Sequence, residues 1–106
     1  MDITKTQNAD SCQLDISGEM SIYDAEELKD NLLGALESTH NLEINLSQVS
    51  EIDTVGFQLL VLAKREANNA NKTLQLVAHS EATLGVIDMY HMADFFGDAT
   101  VIPAGN

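Results

Sequence analysis

Three groups capable of chemistry meet in EIDTVGFQLLVLAKREA, residues 51–67: the carboxylate of Asp53, the hydroxyl of Thr54 and the bare backbone of Gly56. An apolar run follows at once. The first amides of a helix lack internal partners, and that end carries partial positive charge. An oxygen of Asp53 or Thr54 can accept from these amides and act as a cap. A phosphate on Thr54 would suit the same amides and add about two negative charges. Beside Glu51 and Asp53 it would make the loop a poorer surface for an acidic or apolar partner. The motif therefore reads as a structural cap or as a modifiable switch, and spacing alone leaves both open.

Gly56 lets another backbone come close to the helix start, and a partner protein could supply that backbone. Phe57 and Val61 lie four apart, on a face expected to differ from that of Leu59, Ala63 and Glu66. They are read either as exposed apolar anchors or as core. Asp53, Thr54, Val55, Gly56, Phe57, Val61 and Lys64 form the expected partner-binding set, with Thr54 as the expected phosphorylation position. Elsewhere chemistry is sparse. His40, His79 and His91 have no metal-ligand spacing, and the single cysteine, Cys12, sits in an alternating run that predicts a core position. No phosphate-binding glycine loop and no hydrolase elbow occurs. The expectation is a protein without enzymatic activity, metal or cofactor.

The elements that must position this motif alternate between strand and helix. Residues 3–7 and 12–17 predict a hairpin, with Gly18 ending its second strand. Ser21, with Asp24 three residues on, predicts a capping box at the start of a first helix carrying Ala25, Leu28, Leu32 and Leu36. Leu42, Ile44 and Leu46 mark a strand with one buried face, and 47–52 a short connection. The helix after Asp53 runs to about residue 70. Lys64 and Arg65 fall in its later part, where positive charge suits the dipole. Residues 73–78 predict a strand. Ser80 predicts the cap of a third helix, Phe95 and Phe96 a plug at one end of the core, and 100–102 a last short strand. The order ββαβαβα predicts an α/β fold. Its small mixed sheet has about four to five strands, an N-terminal hairpin followed by parallel crossovers, and helices packed on one side.

The 106 residues suit one domain, and an apolar fraction of 44% suits a folded one. The polar start MDITKTQNAD and the lack of any apolar run near ~20 residues predict a cytoplasmic protein without membrane insertion. Five basic residues against 17 acidic ones give a formal charge of −12. Such a surface repels nucleic acid and anionic lipid. It favours solubility and steers the protein towards basic partners.

Taken in order, NLEINLSQVSEID, the DTVG at the helix start and HSEATLGVIDMYHMADFF resemble the STAS domains of bacterial anti-sigma factor antagonists, over nearly the whole length. The resemblance implies a non-enzymatic regulator in a partner-switching cycle. The unmodified domain would bind an anti-sigma factor that is also a serine/threonine kinase. That kinase would phosphorylate a hydroxyl of the motif, and a phosphatase would reset it. Of the family's two hydroxyl positions only Thr54 is kept, since the second is Val55, and Asn45 stands where many members carry aspartate. The resemblance also implies an alternative, a non-switching subunit docked on a membrane transporter's ATPase. Two further readings come from the residues alone. One is an acidic carrier protein modified after an aspartate, and the other a small ligand-binding domain.

Overall fold

The computed structural model describes residues 1–96. Strands β1 (Asp2–Gln7) and β2 (Ser11–Met20) form the antiparallel hairpin, with Ile3 opposite Ile16 and Lys5 opposite Leu14. A 3-10 turn (Ile22–Asp24) leads into α1 (Ala25–Glu37). Strand β3 (Asn41–Ile52), helix α2 (Thr54–Asn69), strand β4 (Thr73–His79), helix α3 (Glu81–Met89) and the short α4 (Ala93–Phe96) follow. The strands lie in the order β1-β2-β3-β4, with β2–β3 and β3–β4 parallel. This is the predicted mixed α/β architecture. A four-stranded sheet is incompatible with the helical bundle a carrier protein needs, so that alternative falls.

Alternation decides which face of the sheet is covered. Cys12, Leu14 and Ile16 of β2, Leu42, Ile44 and Leu46 of β3, and Leu74 and Leu76 of β4 are all buried. The residues between them, such as Gln13, Glu43, Asn45 and Gln75, are polar and face away from the core. Leu28, Leu32 and Leu36 of α1 and Leu60, Ala63 and Ala67 of α2 complete one continuous core. Phe96 is buried and meets Phe57 and Phe95 edge-on, at 6.3 and 5.2 Å between ring centres, as expected of a plug. Burial raises the Cys12 thiol above its ordinary pKa, which suits an inert core residue.

Several boundaries differ from expectation for identifiable reasons. Gly18 does not end β2. Its φ of +89° accommodates an irregularity in register, and the strand continues to Met20. Residues 47–52 are not a connection but the second half of β3. A register shift there lets both Leu46 and Val49 point inward, which breaks the period-two pattern. At that irregularity the Asn45 carboxamide oxygen accepts from the Ser47 amide (2.9 Å) and hydroxyl (2.7 Å). Ser21 caps only the 3-10 turn, through the Tyr23 amide, and α1 proper begins at Ala25. The reciprocal capping box lies instead at Ser80 and Thr83. The strand expected at 100–102 lies outside the described residues.

Candidate functional site

Because β2 and β3 are parallel, both end at the same edge of the sheet, with Met20 opposite Ile52. The next residues of each chain segment, Ser21–Tyr23 and Asp53–Thr54, are thereby brought together. Open α/β sheets place their functional loops at this end of the strands.

Asp53 is the cap. Its Oδ1 accepts from the Gly56 amide at 2.8 Å, and its Oδ2 accepts from the Ile22 amide at 2.9 Å. Its own amide donates to the Met20 carbonyl at 3.1 Å. One residue thus closes the helix start and fixes the neighbouring turn to it. The Gly56 amide, and more weakly those of Ile22 and Val55, hold the Asp53 carboxyl below the usual carboxylate range.

With the cap supplied by Asp53, the Thr54 hydroxyl is left over. Thr54 is exposed, is the first residue of α2, and its side chain makes no hydrogen bond with any described residue. The ambiguity in the sequence is resolved: the carboxylate holds the helix end, and the alcohol faces solvent. Val55 is half-buried.

Gly56 does serve a close approach, but within the molecule. A Cβ there would lie 2.6 Å from the Met20 carbonyl oxygen, so α2 begins pressed against the end of β2. Phe57 and Val61 are not exposed anchors; both are core, at 2% and 4% exposure. Helix α2 is apolar on nearly every side of its first half, and tertiary packing chooses which side goes in. Lys64 lies about 15 Å further along the helix axis than Thr54. Its Nζ donates to the Leu74 carbonyl at 2.9 Å and ties α2 to β4.

The exposed apolar groups are others. Tyr23 is 93% exposed and Ile22 58%, both on the turn held by Asp53. Tyr90, at the end of α3, stacks on Phe57 at 4.9 Å and 12°, which carries its half-open ring to the first turn of α2; Met89 beside it is exposed. The sequence signal for the first pair is an apolar dipeptide between a cap residue and the amphipathic stripe, which the helical pattern absorbs. A cleft of about 250 Å³ opens at the strand ends, lined by Glu19, Ser21, Tyr23, Glu51, Ile52 and Asp53 among others.

The remaining chemistry is dispersed. Among the described residues no three His, Cys, Asp or Glu side chains converge as metal ligands. No described helix is long and apolar enough to cross a membrane. His79 is half-buried, and burial lowers its pKa. Its Nδ1 lies 3.4 Å from the Thr83 hydroxyl, while its enclosed Nε2 has no partner among the described residues.

Known proteins match this arrangement along nearly its whole length. The family model described as "Mlab, STAS domain" matches residues 3–102. An anti-sigma-B factor antagonist of Staphylococcus epidermidis is 27% identical over 95 residues, covering 89% of this chain and 88% of the relative. The crystal structure of an anti-sigma factor antagonist from Mycobacterium paratuberculosis superposes with a TM-score of 0.81 at 21% identity, covering 91% of this chain and 82% of that one. The phosphorylated form of the Bacillus cell fate determinant SpoIIAA superposes with a TM-score of 0.73 at 17% identity, covering 93% and 92%.

Proposed function

Since the chain belongs to the STAS domain family, we propose that it is a regulatory protein that docks an anti-sigma factor, or a related serine/threonine kinase, at the α2 start, and that Thr54 is the phosphorylated residue of the cycle. One observation carries this reading: the Thr54 hydroxyl is exposed and unused, because Asp53 already caps the helix. Relatives named anti-sigma-B factor antagonists, and a Bacillus protein of the same fold that has a phosphorylated form, support it. The docking surface is Asp53, Thr54 and Val55 together with the exposed Ile22, Tyr23, Met89 and Tyr90. Gly56, Phe57 and Val61 act from beneath by fixing the helix.

A phosphate on Thr54 would meet the ionised Asp53 and the acidic rim of Glu51. It would change the charge of the surface within reach of any partner seated there. A phosphatase would restore the docking form.

The test is to isolate the protein with its bound partners from its native cell and map phosphosites by mass spectrometry. The expected result is an anti-sigma factor or kinase in the complex and phosphate on Thr54. Incubated with that kinase, Thr54→Ala should stay unmodified and bound, and Thr54→Glu should bind at least about tenfold more weakly, a loss of ~1.4 kcal/mol. Equal phosphorylation of the alanine variant would exclude Thr54.

The description of the matching family model, with Val55 at the second hydroxyl position, favours one other reading: a non-switching subunit on a membrane transporter's ATPase. Recovery of such an ATPase, with Thr54 unmodified, would establish that reading instead.

A further inference from the structure

His79 ends β4 opposite the buried Leu46 of β3, and its two ring nitrogens have unequal surroundings. Nδ1 lies 3.4 Å from the Thr83 hydroxyl, and Nε2 is enclosed with no partner among the described residues. The Thr83 hydroxyl has one proton, which it donates to the Ser80 carbonyl at 3.1 Å. The same oxygen accepts from the Ser80 amide at 3.0 Å. Towards His79 it can therefore only accept, so Nδ1 brings the hydrogen. The opposite tautomer would put an N–H into the enclosure with nothing to receive it. These bonds assign a neutral imidazole with its proton on Nδ1. Of the elements packed against β4, α3 carries Glu81 and Asp88 and α4 carries Asp94, all exposed, while Lys64 of α2 donates to the Leu74 carbonyl. None of these charges governs the ring, since burial is the sole cause of its lowered pKa.

A second proton would go to Nε2. The cation would then sit enclosed, with no acceptor among the described residues for its new hydrogen. The ring has to leave, and Thr83 loses a partner in the turn that starts α3. That helix has only 9 residues, and isolated helices shorter than about 12 are marginal in water, so it depends on its junction and its packing. Its far end carries Met89 and Tyr90, and Tyr90 stacks on Phe57 of α2 at 4.9 Å. We propose that His79 is an acid-operated latch on the docking face: neutral, it steadies the α3 start through Thr83, and on protonation it leaves its enclosure, frees that turn and loosens the stack of Tyr90 on Phe57. This rests on the reading that Tyr90 and Met89 belong to a protein-docking surface, and it adds a regulation of that surface that needs no phosphate. The latch is closed above pH 6.5 and opens as pH falls through the lower value of the folded protein.

The test is a pH titration of the isotope-labelled full chain by NMR, reading the imidazole nitrogens, the Tyr90 ring and the amide exchange of α3. The expected result at neutral pH is a His79 proton on Nδ1. On acidification His79 should titrate below pH 6.5, and the Tyr90 ring should shift with the same midpoint. Across that midpoint, α3 amides should exchange at least about tenfold faster than the intrinsic pH dependence allows. His79→Gln should abolish the Tyr90 step. His91 lies next to Tyr90, so His91→Gln is the control and should leave the step in place. A neutral ring protonated on Nε2, a midpoint at or above 6.5, or a Tyr90 step that survives in His79→Gln or vanishes in His91→Gln would each overturn the latch. Should His79→Gln not fold, the tautomer and midpoint of the unaltered chain still decide. The titration needs no partner. A latch that behaves as expected in a chain capturing no anti-sigma factor or kinase would sink the functional reading alone, and a captured partner with the proton on Nε2 would sink the latch alone.

Discussion

Two strand-to-helix junctions, β3–α2 and β4–α3, follow neighbouring parallel strands, yet they are finished differently. At the α3 start the junction is closed on itself. The Ser80 hydroxyl accepts from the Thr83 amide at 3.2 Å, and the Thr83 hydroxyl accepts from the Ser80 amide at 3.0 Å. Thr83 is fully buried. At the α2 start a carboxylate performs the capping and also reaches sideways to the Ile22 amide, while the adjacent threonine is left in solvent. The first threonine is structural because its oxygen is consumed, and the second is chemically available because its neighbour has taken over the cap. Residue type does not separate the two; the acceptor that reaches the helix amides does.

The comparison breaks most sharply at the glycines. Gly56→Ala would drive a Cβ to 2.6 Å from the Met20 carbonyl oxygen, backbone that cannot step aside. We expect a loss of about 2–3 kcal/mol in urea unfolding. Gly85→Ala in α3, where an added Cβ would meet no other described element within 4 Å, should add about 0.8 kcal/mol. If the two substitutions had similar effects, the wedge between α2 and β2 would be absent.

Next come the threonines. Thr83→Ala removes a buried hydroxyl and strands the Ser80 amide, so it should cost about 1–2 kcal/mol. Thr54→Ala should change stability by no more than about 0.5 kcal/mol. A large cost at Thr54 would mean that its hydroxyl has structural work after all.

The smallest effect is in pH. Burial lowers the His79 pKa at the α3 junction, so the unfolded chain takes up that proton first. The stability this neutral imidazole contributes is present above pH 6.5 and is lost as pH falls through the folded-state value. Asp53 is also held low, by the Gly56 amide above all. Its contribution is present above pH 3.8 and is lost only in stronger acid. Hydrogen exchange against pH should therefore loosen the α3 junction first and the α2 junction second. Replacing His79 with Gln should abolish the upper step and leave the lower one.

The order of elements was legible because alternation and helical spacing are local. Leu42-Ile44-Leu46 can bury one face only as a strand, and the helical pattern after Asp53 runs too long for one. The second half of β3 was not legible, since a register shift is set by the neighbouring strand and erases the period where it occurs. At the site, the sequence identified Asp53 and Thr54 but could not divide their roles, which depend on whose oxygen reaches the Gly56 amide. Whether Phe57 and Val61 are anchors or core stays open in the sequence because α2 is apolar on several sides. Tyr23 and Tyr90 were missed because apolar character does not dictate burial. That Glu19 and Glu51 are neighbours at the strand ends follows from pairing across 32 positions, and no local pattern contains it.

The wedge of Gly56 against the Met20 carbonyl has a mechanical consequence. The first turn of α2 leaves no room for a side chain between it and the end of β2. Under the proposed cycle, a group attached to the Thr54 hydroxyl would sit on the solvent side of this joint, and what it would change is the surface charge that an arriving partner meets.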